Sequence, residues 1–166
     1  MDHLWSPWRY RYVTKQELKA PPTTGNCIFC SLLTAVDDES SLILFRGQHN
    51  FVVLNLYPYT NGHLMVVPFH HTPTLTEASA DTLTEMMQLA RKAESALRKV
   101  YSPQGINLGM NLGECAGAGI AEHIHMHVLP RWFGDANFMT VIGETRVHIE
   151  ELPVTWKRLK EAFDAA

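Results

Sequence analysis

Three histidines, His123, His125 and His127, stand at alternate positions in EHIHMHVLPRW, residues 122–132. Imidazole is both a nucleophile and a metal ligand near neutrality, because its ordinary pKa of ~6.5 leaves most of it unprotonated. Spacing decides what three of them can do together. A helix turns about 100° per residue and would throw His125 to the far side from its neighbours. A strand sends alternate residues to one face, so the three rings share a side while Ile124, Met126 and Val128 turn to a core. The apolar composition and the stop at Pro130 favour the strand. Three uses are open on these residues alone. The rings can line a polar sheet face. Two of them can bind a metal, although same-face neighbours ~7 Å apart make a shared ion for all three awkward. Or His125 can act as a nucleophile supported by its flanking partners.

The segment that feeds the strand bears on that choice. In GMNLGECAGAGIAEH, residues 109–123, glycines at 109, 113, 117 and 119 let main-chain N–H groups converge on an anion, and Asn111 adds an amide. Beside three imidazoles this loop points to a phosphate group and to phosphorus chemistry. A neutral imidazole, its other ring N–H held by a main-chain carbonyl, splits one hard displacement into two easier ones. Nearby donors would stabilise charge on the equatorial oxygens. The sequence offers no evident carboxylate cluster for Mg²⁺, and no organic cofactor is expected.

Cys27 and Cys30 form a C-x-x-C in NCIFCSLL. That spacing suits a zinc knuckle, and without a surrounding βαβ pattern redox chemistry is disfavoured. The third cysteine, Cys115, reads as a small residue of the Gly-rich loop. His3, His49 and His148 stand without companions and read as surface residues.

Elements must position these groups. LILFR (42–46) and FVVLNL (51–56), joined by GQHN, read as a hairpin, and HLMVVP (63–68) as the next strand. From Glu77 to Val100 apolar residues at Leu83, Met86, Met87, Ala90, Ala93, Leu97 and Val100 recur at helical spacing, with Thr74 and Glu77 as a capping box. INLGMN (106–111), HIHMHVLP (123–130) and FMTVI (138–142) read as further strands. Pro153 opens a C-terminal helix carrying Trp156, Leu159 and Phe163 on one side. The fold class is therefore α+β. Residues 1–24, with Trp5, Trp8, Tyr10 and Tyr12, read as an arm packing on one domain of 25–166.

At 166 residues, 46% apolar and 19% charged, the chain is globular in composition. A net charge of −3 gives no basic excess for a nucleic-acid polymer. No apolar run reaches membrane-spanning length, and MDHLWSPWRYRYVT lacks a signal peptide's apolar centre. A cytoplasmic location is the expectation.

The stretch His123-Ile-His125-Met-His127-Val-Leu resembles the motif of the histidine triad (HIT) superfamily of nucleotide hydrolases and transferases. FVVLNLYPYTNGHLMVVP resembles that family's ribose-binding strand, turn and next strand. LWSPWRYRY and PRWFGDANFMTVIG resemble the branch containing diadenosine tetraphosphate phosphorylases and related bacterial HIT proteins. The resemblance implies a meander of about five antiparallel strands with one long helix and a C-terminal helix, and a homodimer. It implies that His125 attacks the α-phosphorus of an AMP-containing substrate, giving a nucleotidyl-histidine. It implies that His127 contacts phosphate and assists the leaving group, that His63 supports the site, that Asn55 holds the ribose hydroxyls and that Asn111 contacts phosphate. Many members carry Gln or Ser where Gly119 stands, so main-chain N–H groups of the loop, at Gly117 and Gly119, take over that contact here. In zinc-containing members two cysteines, a histidine after the P-x-x-H segment and the first triad histidine bind the ion. That pattern selects Cys27, Cys30, His71 and His123 for a structural zinc, with His70 a bystander. The implied activity is nucleotidyl transfer from a dinucleoside polyphosphate, to water or to orthophosphate. A nucleoside phosphoramidase and a nucleotide-binding adaptor with little turnover are the alternatives.

Overall fold

The computed structural model describes residues 27–35, 37–143 and 150–165. The N-terminal arm, His3 and His148 lie outside them. A one-turn helix, α1 (Ile28–Leu32), precedes β1 (Ile43–Arg46), β2 (Asn50–Leu54) and β3 (Leu64–Pro68). The long helix α2 (Ala80–Tyr101) follows, then β4 (Gly105–Gly109), β5 (Met126–Arg131), α3 (Phe138–Val141) and α4 (Leu152–Asp164). The five strands form one antiparallel sheet in the order β1-β2-β3-β5-β4. Consecutive hairpins build the first three. Helix α2 then carries the chain over the sheet to its far edge, and β5 returns between β3 and β4.

Both faces of the sheet are buried, which is why β2 and β3 read as unbroken apolar runs. Leu44, Val52, Leu54, Leu64, Val66 and Val128 pack on one side against α2 and against Leu159 and Phe163 of α4. Ile43, Phe51, Val53, Met65 and Val67 face the other side, where Phe29 of α1 covers them. Helix α2 buries Met86, Leu89, Ala90, Ala93, Ala96 and Leu97, while Met87, expected inside, is 53% exposed. Its cap also differs from expectation. Thr74 and Glu77 do bond, Glu77 N–H donating to Thr74 Oγ1 at 3.3 Å, but they close a separate turn. The helix starts at Ser79, whose extended backbone lets Oγ accept from Thr82 N–H at 3.1 Å.

Glu85 of α2 fastens the β1–β2 turn by accepting from Gln48 N–H (2.6 Å), His49 N–H (2.7 Å) and Asn50 Nδ2 (2.8 Å). Burial acts to raise its carboxyl pKa, and these three donors outweigh it and hold it low. Trp156 of α4 donates to Ile43 O at 2.9 Å and ties the last helix to the first strand. FMTVI, expected as a strand, is the helical turn α3. Asn137 turns the chain there by accepting from Met139 N–H at 2.9 Å, and among the described residues no strand pairs with it. The hydrogen-bonded ladder of β5 begins at Met126, so His123 and His125 precede it. Ile124 N–H donates to Thr72 O at 2.8 Å, which keeps this run beside the chain leaving β3. Among the described residues no helix is long and apolar enough to cross a membrane.

Candidate functional site

Alternation survives upstream of the β5 ladder. Ile124 and Val128 lie in the helix-side core, while His123, His125 and His127 turn to the opposite face, at 0%, 5% and 8% exposure. The His125 and His127 rings are 4.9 Å apart between centroids and nearly perpendicular. Each of the three rings has a separate set of partners, and those partners fix where each proton sits.

His125 Nδ1 lies 2.9 Å from the carbonyl oxygen of His123. A carbonyl only accepts, so Nδ1 carries the hydrogen and Nε2 keeps its lone pair. Burial lowers the His125 pKa, and this hydrogen bond acts in the opposite sense. A neutral ring with a free Nε2 is the form that attacks electrophiles.

A chain of donors sets the opposite tautomer on His127. Tyr59 N–H donates to His63 Nδ1 at 3.1 Å, and a backbone N–H has no other option. His63 Nε2 must then carry the proton, and it donates to His127 Nδ1 at 2.8 Å. His127 is left with its hydrogen on Nε2. Burial, and secondarily the neighbouring His125, hold its pKa at about 4. One ring of the pair therefore offers a lone pair and the next offers a proton.

Asn55 joins the same chain. Its Oδ1 accepts from Tyr57 N–H at 3.0 Å, so Nδ2 faces His63 Nδ1 at 3.3 Å. Asn111 donates from Nδ2 to Gly117 O at 3.3 Å, which draws the Gly-rich loop together. Gly113 (φ 85°) and Gly117 (φ 94°) flank the short 3₁₀ turn Glu114–Ala116 in the left-handed half of backbone space, which suits glycine. Gly119 is exposed, as is Cys115 in the turn. Gly109 pairs with His127 across the ladder, and a side chain there would meet nothing within 4 Å. The glycine leaves the strand bare beside the His127 ring.

The cysteine pair lies behind this site. Ligand atoms of Cys27, Cys30, His71 and His123 all fall within 4.8 Å of one another. Cys27 Sγ and Cys30 Sγ are 3.4 and 3.7 Å from His123 Nδ1, and Cys30 Sγ is 3.4 Å from His71 Nδ1. Sulfur and nitrogen ligands on one tetrahedral ion, at ~2.3 and ~2.05 Å from it, stand about 3.5 Å apart. His123 Nε2 donates to Pro68 O at 3.0 Å, which frees Nδ1 to face the thiols, as a ligating imidazole requires. Burial raises the Cys30 thiol above its ordinary range and Cys27 adds to the rise, so a thiolate pair there calls for a cation. The four residues thus fit a closed divalent metal site. His70 is exposed beside it, and His49 is half-buried in the β1–β2 turn.

Residues 37–134 match the HIT domain. The chain is also 40% identical over 149 residues to the AP-4-A phosphorylase of Mycobacterium tuberculosis, covering 89% of this chain and 76% of the relative. This protein belongs to the HIT family. The HIT fold is shared with a Zn-bound histidine triad family protein from Mycobacterium smegmatis at TM-score 0.67 and 24% identity, over 86% of this chain and 96% of that one. A hypothetical histidine triad nucleotide-binding protein from Sulfolobus tokodaii superposes at TM-score 0.67 and 25% identity, over 84% and 93% of the two chains.

Two residues of this HIT site gave no sign in the sequence. Tyr59 stacks on His127 at 5.9 Å and stands 4.6 Å from His63. Phe29 packs against His125 at 5.0 Å and His123 at 5.5 Å. Each is an aromatic ring in an apolar or turn context, and the contact that matters comes from a distant segment.

Proposed function

We propose that this HIT protein transfers a nucleotidyl group from a dinucleoside polyphosphate, diadenosine tetraphosphate first among them, through a nucleotidyl-His125 intermediate. The observation that carries the reading is the pair of opposite tautomers, a lone pair on His125 Nε2 beside a proton on His127 Nε2. In the first step His125 Nε2 bonds to the α-phosphorus while the bond to the leaving polyphosphate oxygen breaks. His127 Nε2–H gives its proton to that oxygen, and His63 Nε2–H holds the ring in place throughout. In the second step an acceptor oxygen attacks the phosphorus, the P–N bond breaks, and the acceptor's proton returns to His127. Orthophosphate as acceptor yields ADP and water yields AMP.

The donors of the Gly-rich loop, Asn111 and the N–H groups near Gly117 and Gly119, serve the phosphate oxygens. Asn55 serves the ribose and His63 together. The name of the Mycobacterium tuberculosis relative supports orthophosphate as the preferred acceptor. Cys27, Cys30, His71 and His123 hold a structural zinc, which supplies a fixed cross-link between α1 and the run leading to His125 and no chemistry on the substrate. Strand β4 is the last of the sheet among the described residues, with Leu108 48% exposed, and its edge is the place for a second copy to extend the sheet into a homodimer.

Incubation with diadenosine tetraphosphate, with and without orthophosphate, tests the assignment. ADP plus ATP formed only when orthophosphate is present is the expected result. AMP plus ATP without it means a hydrolase, and no turnover of any dinucleoside polyphosphate refutes the substrate class.

A further inference from the structure

The knuckle between the two cysteines does more than present ligands. Helix α1 is a single turn, with Cys27 as its N-cap and Cys30 inside it. Phe29 projects from that turn into the sheet face at 2% exposure, and its ring is tilted 53° against His125 at 5.0 Å. His127 stands 4.9 Å from the same ring and nearly perpendicular to it. A single hydrogen bond to the His123 carbonyl fixes the tautomer of His125, but by itself it leaves the ring free to swing about its side-chain torsions. The ring contacts from Phe29 and His127 restrict that freedom. The contact is bracketed by the metal cluster, since Cys27 and Cys30 flank Phe29 and His123 lies two residues before His125.

We propose that Phe29 is a positioning residue for the attacking imidazole, and that the cysteine–histidine cluster acts on the reaction by holding Phe29 against His125. The proposal rests on His125 being the nucleophile. Its physical basis is the steep dependence of attack on alignment, where a misplacement of ~1 Å costs about 10²-fold in rate. Phe29 makes no bond to the substrate in this account. Its truncation therefore slows formation of the P–N bond and leaves product-like binding intact.

The test uses the full chain and four measurements on each of Phe29→Leu, Phe29→Ala and Phe51→Leu. These are the single-turnover rate of nucleotidyl-His125 formation, AMP affinity by calorimetry, bound metal per chain, and Tm. Phe51 lies in the same apolar layer and its ring stacks on Phe69, so its truncation controls for general loosening. Expected is a loss of about 10²-fold in adduct formation for Phe29→Ala and about 10-fold for Phe29→Leu, which keeps part of the contact. Metal content and AMP affinity stay near wild type, and Phe51→Leu lowers Tm without slowing the adduct. Wild-type adduct rates in Phe29→Leu and Phe29→Ala overturn the proposal. So does a slow rate accompanied by metal loss in Phe29→Leu, because Phe29 would then serve the cluster and not the ring. If Phe29→Ala fails to fold, Phe29→Leu decides on the same criteria. Absence of any adduct on wild-type His125 refutes the nucleophile itself, a failure distinct from unaffected Phe29 variants.

Discussion

On the helix side of the sheet Val52, Val66 and Val128 are fully buried, and on the other side so are His63 and His123. The two faces are equally dry, yet the helix-side one is apolar except where Asn50 bonds to Thr82 and Glu85 of α2, and the other is threaded with imidazoles. Burying a polar ring costs stability unless each nitrogen finds a partner. Here His63, His123 and His127 sit in hydrogen bonds or metal-ligand positions that answer the cost. The helix-side face converts burial into stability alone. The histidine face converts part of it into fixed tautomers, and dryness holds His125 and His127 neutral near pH 7.

That contrast makes the two faces separable by mutation. His125→Ala is expected to lower turnover by about 10⁴-fold or more with little change in Tm, since the proposed nucleophile is lost and a small void is left. His127→Gln, which keeps a donor but cannot transfer a proton, should cost about 10²–10³-fold in kcat, measured with diadenosine tetraphosphate and orthophosphate. A substrate with a better leaving group should recover part of that loss. Leu97→Ala on the helix side reverses the pattern. It should remove about 2–5 kcal/mol of stability in a denaturant titration, with kcat per folded molecule unchanged. If Leu97→Ala instead impairs chemistry as strongly as His127→Gln, the faces are not separable.

Acid is the gentler probe. His127 has a folded pKa of about 4 against an ordinary value of 6.5, so between those values the unfolded chain binds more protons. The stability contributed by its burial is complete above pH 6.5 and is lost as pH falls towards 4. Turnover should likewise hold through the range where a free imidazole charges, with its acid limb below pH 6.5. An acid limb centred on 6.5 would mean that the reacting ring is solvated.

Much of this was legible in the sequence because periodicity encodes faces. The alternation from His123 to Val128 placed three imidazoles opposite Ile124 and Val128, and the helix over Ala80–Tyr101 announced itself by spacing. Ends and contexts were harder to read. Ser79, and not Thr74, caps α2, because the cap depends on which residue adopts an extended backbone. FMTVI has strand-like side chains but no partner strand among the described residues, and Asn137 turns it into a helix. Met87 has the chemistry of a core residue and the angular position of an exposed one. For the site, ligands and triad could be matched to a family pattern residue by residue. Phe29 and Tyr59 could not, since their importance lies in contacts to chain segments far away in sequence. The tautomers of His63 and His127 depend on one backbone N–H, that of Tyr59, which no side-chain pattern reports.

The central claim is that one buried, neutral imidazole becomes bonded to phosphorus. Intact-mass analysis of protein quenched rapidly in base, where a P–N bond survives, during turnover of diadenosine tetraphosphate, followed by peptide mapping at neutral or alkaline pH, tests it most directly. The account predicts a single AMP addition on the peptide containing residues 122–131, located at His125 and absent from His125→Ala. Steady turnover with no adduct, or an adduct on any other residue, would contradict it.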